Sequence, residues 1–327
     1  MKSVLTVQET SDLIRSGKKI FVAGDESLLA ALPSGEWIGG TIPYFMSEDG
    51  GLFTRDRVQV TVLPDFVTNA EIKLYSVGEL DRIPADYKPN GFAYVVIPAF
   101  SEAHQKFSHE CSTWPGVFNR PLTGWIAGID LKDLGKVSPK VFNGQTGESS
   151  ASKAAVMHVD LPAEKFAKVN IINLFHQGSG DTITFPSAGF EATDCFINGQ
   201  KRNFAEYVET MKVNIQQPLV ADYMGAMVNA SFQAVDAKAG KVAFYAPVFP
   251  GMEYKIADPV GDYEKKFDEE LKAKDVSPVF TCNCILNYLY ANLEGKKTGH
   301  IVGPMTFGEI AYMLLNQTLV YLTFENK

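Results

Sequence analysis

The sequence predicts a mixed α/β protein, with two related lobes of mixed β-sheet flanked by helices. Three observations carry this expectation. Strand-like and helix-like segments alternate from the start of the chain, and the near-continuous apolar run FAYVVIPAF (92–100) reads as a central strand covered on both faces. Asn-Gly pairs between apolar flanks recur in both halves, at Asn143-Gly144 and Asn198-Gly199, where positive φ angles would close two-residue hairpins. The 327 residues, 46% hydrophobic and 12% aromatic, suffice for a substantial core and match about two units of 150 residues. The division is placed at 1–180 and 181–327.

The elements follow in order. Residues 20–23 form a first strand; Asp25 caps a short helix with Leu28, Leu29 and Leu32 on one face; a second strand starts at Trp37, completing a compact β-α-β unit. Val58, Val60 and Val62 alternate with Arg57, Gln59 and Thr61 in the manner of a half-buried strand. After the 92–100 strand, Ser101 is placed to cap a helix over SEAHQKFSHEC. Residues 241–257 supply further strand, and DYEKKFDEELKA (262–273) reads as a helix with i,i+4 charge pairs such as Lys265 with Glu269. Low-complexity tracts and long linkers are absent from the sequence.

Charge and composition narrow the function. A formal net charge of -8, with scattered Lys and Arg, leaves no basic stripe for nucleic acid or anionic lipid. The first 22 residues lack the apolar core of a signal peptide, and no apolar run reaches a membrane span. The expectation is a cytoplasmic protein without nucleic-acid or membrane partners, whose Cys111, Cys195, Cys282 and Cys284 stay reduced.

Cys282 and Cys284 stand one residue apart in VFTCNCILNYLY (279–290). On an extended segment both would share a face, yet a closed zinc site wants about four N/S ligands and no second pair lies near. Three readings stay open: small buried apolar groups at a strand-to-helix junction, a functional thiol at Cys282 beside the first turn of the next helix, and a metal clip. His104 and His109, five apart, do not stack as the i,i+4 histidines of a zinc-protease helix do. No nucleophile elbow, phosphate loop or dinucleotide fingerprint occurs in the sequence.

Several segments together carry a resemblance. SPVFTCNC, Gly308-Glu309-Ile310 and Asn316-Gln317-Thr318 near the C-terminus, EWIGGTIP (36–43) near the N-terminus and DTITFPSAGFEATDCFINGQKRNFAEYV (181–208) occur in an order similar to that of the FIST family of sensory domains. The likeness spans residues 18 to 325. Leu315 stands where many members carry histidine, and the arginine that often follows the family's cysteine is missing. The resemblance implies two linked α/β lobes that bind a small ligand, amino acids being the proposed class, and pass a signal to a partner domain. No such domain is recognisable in the chain, which would then act alone, through an oligomer or on a separate signalling protein.

The candidate ligand residues are Gly39, Gly40, Thr41, Trp125, Cys282, Glu309 and Asn316. Paired glycines admit close approach or form a β-bulge, Trp125 is core or an aromatic platform, and Glu309 recognises an amine or satisfies a local turn. One of Asn316 and Gln317 should point inward and be hydrogen-bonded. Gly39, Gly40, Thr41, Cys282 and Glu309 are expected to converge on one cavity between the lobes. No cofactor and no metal is expected. The alternatives are a thiol-dependent hydrolase or transferase using Cys282, a haem-binding sensor with His158 or His176 as ligand, and a purely structural protein.

Overall fold

The computed structural model describes residues 2–223, 225–274 and 277–327. It is a mixed α/β fold whose sheets are flanked by helices. A first stretch comprises β1 (Val4–Leu5), α1 (Val7–Arg15), β2 (Ile20–Gly24), α2 (Glu26–Ala30), β3 (Trp37–Thr41), β4 (Tyr44–Ser47), β5 (Gly50–Phe53) and β6 (Val58–Val62). A second has β7 (Asn69–Tyr75), a 3-10 segment (Val77–Asp86), β8 (Gly91–Pro98), α3 (Glu102–Glu110), β9 (Leu122–Ala127), β10 (Val141–Asn143), β11 (Glu148–Ser150) and β12 (Ala154–Asp160).

The third stretch opens with β13 (Lys165–Ile172) and is interrupted by an insertion. The insertion holds β14 (Ile183–Thr184), β15 (Gly189–Ala192), β16 (Asp194–Ile197), β17 (Gln200–Asn203), α4 (Phe204–Thr210), β18 (Leu219–Tyr223), β19 (Ala226–Ala230), β20 (Phe232–Asp236), β21 (Lys241–Val248) and β22 (Tyr254–Ile256), followed by α5 (Tyr263–Lys274). The stretch then resumes with β23 (Phe280–Cys284), α6 (Ile285–Tyr290), β24 (Gly303–Thr306), β25 (Glu309–Ala311), β26 (Met313–Leu315) and β27 (Leu319–Asn326).

These stretches are related by a threefold pattern. The sheets run β1-β6-β2-β3-β10-β11, β7-β12-β8-β9-β25-β26 and β13-β27-β23-β24-β4-β5. In each, a strand-helix-strand unit supplies the one parallel pairing, β2 with β3, β8 with β9 and β23 with β24. Two antiparallel strands of the same stretch extend the sheet on one side, and a hairpin from another stretch extends it on the other. The hairpin β4-β5, which follows β3 in the chain, pairs onto β24; β10-β11, which follows β9, pairs onto β3; β25-β26, which follows β24, pairs onto β9. Each stretch therefore donates its hairpin to a neighbour, and the donations close into a ring. A cut at residue 180 would separate β13 from its partner β27.

Local chemistry accounts for the elements. All of β2 and β8 is buried, as their apolar runs require. Asp25 accepts from the Ser27 amide at 3.2 Å and Ser101 from the His104 amide at 3.1 Å, starting α2 and α3. In α5 the ion pair across one turn is Glu270 with Lys274 at 3.9 Å. The insertion has its own aromatic core, in which Phe204 and Phe244 touch each other and both touch Phe185 and Phe232.

The Asn-Gly pairs differ. Asn198 and Gly199 take φ of 49° and 82° between paired Ile197 and Gln200, the expected two-residue turn. Asn143-Gly144 does not: β10 and β11 are joined by residues 144–147, with positive φ at Gly147. The Asn143 side chain is engaged instead, its oxygen accepting from the Gln145 amide at 3.0 Å and its amide donating to the Ile72 carbonyl at 3.0 Å.

A Cβ at Gly124 would run into the Val95 carbonyl oxygen across the β8-β9 pairing, whereas one at Gly199 meets nothing within 4 Å. Gly124→Ala should therefore destabilise by about 3 kcal/mol or more, and Gly199→Ala by about 1 kcal/mol from backbone strain alone. Urea unfolding of the two variants checks the difference.

Candidate functional site

Strand-helix-strand units leave crevices at the carboxyl ends of their parallel strands. Where β8 and β23 end, beneath the insertion, lies a cavity of about 280 Å³. Ala99, Phe100, His104 and Gln105 line it from the second stretch, and Cys284, Ile285, Leu286, Leu289, Phe307 and Asn316 from the third. Leu131 and Leu134 enter after β9, and the insertion contributes Phe190, Gln233, Phe244 and Tyr245. None of these is Asp, Glu, Lys or Arg.

The mouth carries exposed apolar side chains beside Gln105 and Gln233. Phe100, Leu134 and Leu289 remain 54%, 44% and 38% exposed there. Phe100 also holds a left-handed φ of 65°, a conformation that costs a bulky residue roughly 1–3 kcal/mol. Its amide donates to His104 Nδ1 at 3.3 Å and its ring meets Phe307 edge to face.

Two buried polar groups in the lining keep unused donors. Burial, and secondarily the His109 charge, push His104 down from 6.5 to about 4, so its imidazole is neutral near neutral pH. With Nδ1 accepting from Phe100, the ring proton sits on Nε2, which has no partner among the described residues. The Asn316 oxygen is identified by the Ser231 amide, which donates to it at 3.1 Å, while the Ser231 hydroxyl, with one proton, donates to the nearer Gln317 Oε1 at 2.6 Å. The Asn316 Nδ2 is likewise without a partner among the described residues.

Behind the cavity wall lies Glu309, fully buried. Thr318 donates to Oε2 from its amide at 3.2 Å and its hydroxyl at 2.8 Å. Burial nevertheless dominates and raises its pKa from 4.5 to about 8. The Thr306 hydroxyl lies 3.0 Å from the Gly308 carbonyl and 3.3 Å from Oε1. One proton cannot serve both. Given to the nearer carbonyl, it leaves Oε1 as the donor, which a protonated carboxyl permits. The Cys284 thiol is hydrogen-bonded to the same carboxyl, and burial, then Glu309, raises its pKa well above the usual thiol value.

The other residues singled out by sequence lie elsewhere. A Cβ at Gly39 would come within 2.5 Å of the Val22 carbonyl oxygen, and one at Gly40 within 2.6 Å of Val96 and 3.0 Å of the Trp125 ring, so both glycines permit close packing in the core. The Trp125 ring is buried and donates to the Tyr94 hydroxyl at 2.6 Å. The Cys282 thiol donates to the Gly124 carbonyl at 3.4 Å, within the core. Thr41 lines a different crevice of about 380 Å³ at the ends of β2, β3 and β9. That crevice carries charged side chains: Arg55 pairs there with Asp25 at 2.7 Å and with Asp133 at 3.2 Å. Of the seven candidates only Asn316 reaches the apolar cavity.

Sequence reasoning passed over His104 and Phe100 as site residues. A histidine three residues after a cap serine gave the only hint. His158 Nε2 meets the Tyr75 hydroxyl at 2.7 Å, and that hydroxyl donates to Asp86 at 2.6 Å; His176 is exposed. Among the described residues, no three His, Cys, Asp or Glu side chains are grouped so as to hold a metal ion, and no helix is long and apolar enough to cross a membrane.

A family model described as "Family of unknown function (DUF6976)" matches residues 5–325. No curated protein matches the chain.

The buried titratable groups give stability a defined pH dependence. Folded Glu309 keeps a proton that the unfolded chain releases, so its contribution is complete below 4.5 and lost as pH rises to about 8. His104 and His158, both lowered from 6.5 to about 4, act oppositely, adding stability as pH rises through that interval. Between pH 6.5 and 8 Glu309 acts alone of the three. The unfolding free energy should fall across that window in the wild type and stay flatter in Glu309→Gln, as measured by urea unfolding at fixed ionic strength.

Proposed function

The chain belongs to the DUF6976 family, and we propose that it is a non-enzymatic binding protein for a small, mainly apolar molecule held in the cavity beneath the insertion. The observation that carries this reading is the cavity itself, an apolar crevice at the carboxyl ends of β8 and β23. Its rim keeps three large apolar side chains in solvent and one of them in a strained backbone conformation. Protein interiors normally fill such space. Retained apolar surface with a few convergent polar groups is the general form of a small-molecule site.

The FIST resemblance supports a sensory role, with occupancy passed to a separate signalling protein; the cytoplasm is the compartment that the N-terminal sequence favours. It implied amino acids as the ligand class. A lining without charged side chains favours an uncharged molecule over a zwitterion, since an unpaired buried charge costs several kcal/mol. A thiol-dependent hydrolase or transferase, attached by sequence to Cys282, would have to run through Cys284, the cysteine that lines the cavity. Its high pKa and its bond to Glu309 favour the binding role.

Ala99 is 4% exposed and lines the cavity, so Ala99→Phe would put a ring into it. Native mass spectrometry of protein purified from cells should show a small uncharged adduct on the wild type and none on Ala99→Phe, with the melting temperature of the variant within a few degrees. Equal occupancy in the variant would sink the proposal.

A further inference from the structure

We infer that the insertion is a lid regulated by its own cavity: it lifts from the ring as one body, and a molecule in the cavity holds it down. The inference rests on the cavity being the binding site. It names what occupancy changes in the protein.

The insertion is folded by its own contacts. Its two sheets, β17-β16-β14-β22-β18-β19 and β15-β21-β20, contain no strand of the ring. Its buried apolar side chains pack with one another, and among them only Val228 and Ala246 join the cores of the ring. The seat is otherwise made by side chains. Phe190 meets the rings of His104 and His109 edge to face, with centroids 5.7 and 5.3 Å apart. Asn229 and the Ser231 amide bond to Asn316, and Gln317 bonds back to the Gln216 carbonyl. A unit with its own core and few ties opens cooperatively at a lower free energy than the whole chain unfolds.

The cavity lies in this seat. Phe190, Gln233, Phe244 and Tyr245 form the insertion's wall, and Ile285 and Phe307 are among the ring residues that complete it. A molecule that fills the cavity touches both bodies, and lifting the insertion takes one wall away. A ligand that binds the seated form and not the lifted one favours the seated form by the factor 1 + [L]/Kd. Occupancy must therefore deplete the lifted form.

Ser231 reports on both bodies at once. Its N–H donates across the seat to the Asn316 side-chain oxygen at 3.1 Å, while its C=O accepts from the Tyr245 amide inside the insertion at 2.9 Å. Lifting breaks the first bond and keeps the second. Hydrogen exchange of the two amides, Ser231 and Tyr245, is followed by NMR on the whole chain with and without 1-naphthol. This probe is an uncharged two-ring molecule, suited to a cavity of about 280 Å³ because about 150 Å³ holds one benzene ring. Its binding is measured independently by calorimetry.

Without naphthol the Ser231 amide should exchange faster than that of Tyr245, and at about ten times the Kd of naphthol it should slow roughly tenfold. Asn229→Ala removes a seat bond without touching the cavity lining; it should speed exchange at Ser231 relative to Tyr245, and naphthol should reverse the change. If that variant does not fold, the two wild-type amides remain decisive. Equal exchange at both amides in the free protein, or bound naphthol that leaves Ser231 unchanged, overturns the inference while leaving the cavity as a binding site. Failure of naphthol to bind removes the cavity reading and this inference with it.

Discussion

The exchange of hairpins around the ring is the constraint on which the rest of the structure depends. No stretch completes its own sheet: β3, β9 and β24 each carry on their outer side a hairpin contributed by another stretch. Backbone N–H and C=O groups of a strand edge left unpaired would be costly in a buried sheet, so the three stretches must assemble together. This interlocking brings the carboxyl ends of β8 and β23 close enough to share a cavity although nearly two hundred residues of chain separate them. It also sets the Glu309 backbone against Trp125, which carries the carboxyl into the core rather than into a cleft.

The Asn316-Gln317-Thr318 turn joins the ring to the insertion. Asn229 donates to the Asn316 carbonyl at 3.0 Å, the Ser231 amide donates to the Asn316 side chain at 3.1 Å, and Gln317 donates to the Gln216 carbonyl at 3.0 Å. On the ring side, Thr318 donates to Glu309. Gln317 itself holds φ of 51°, so the tight turn aims neighbouring side chains at different parts of the molecule. One short segment thus ties the insertion, the buried carboxyl and the cavity wall to one another.

The three strand-helix-strand units also show how one design is put to different uses. Asp25 and Ser101 cap their helices with side-chain oxygens, while Cys284 at the same point of the third unit makes no capping bond, forgoing about 1 kcal/mol. Its sulfur turns to Glu309 and its residue becomes part of the cavity. In the first unit the corresponding crevice carries the ion pairs of Arg55, so two similar positions differ in kind: one is lined by paired charges, the other by uncharged side chains.

The strands and helices were legible because their signals are local. The apolar run at 92–100, the caps at Asp25 and Ser101 and the Asn198-Gly199 turn depend on a few neighbouring residues, and the sequence alone determined a mixed α/β chain with an uncharged, cysteine-bearing strand ahead of its last helix. Asn143-Gly144 escaped the same rule because a carbonyl from β7, seventy residues away in the chain, captured the Asn143 side chain. The site was legible only at Asn316, and not by the rule applied to it: strand alternation would turn one of Asn316 and Gln317 inward, whereas both are buried in the turn between β26 and β27. Whether a buried glycine, tryptophan or carboxylate faces a ligand or its own core depends on which strand arrives opposite, and that is fixed by the hairpin exchange. Tertiary structure alone decided that Gly40 packs on Trp125, that Glu309 keeps a proton among threonines and that the His104 ring meets Phe190 of the insertion, because each is a contact between segments whose distance along the chain carries no information about their distance in space.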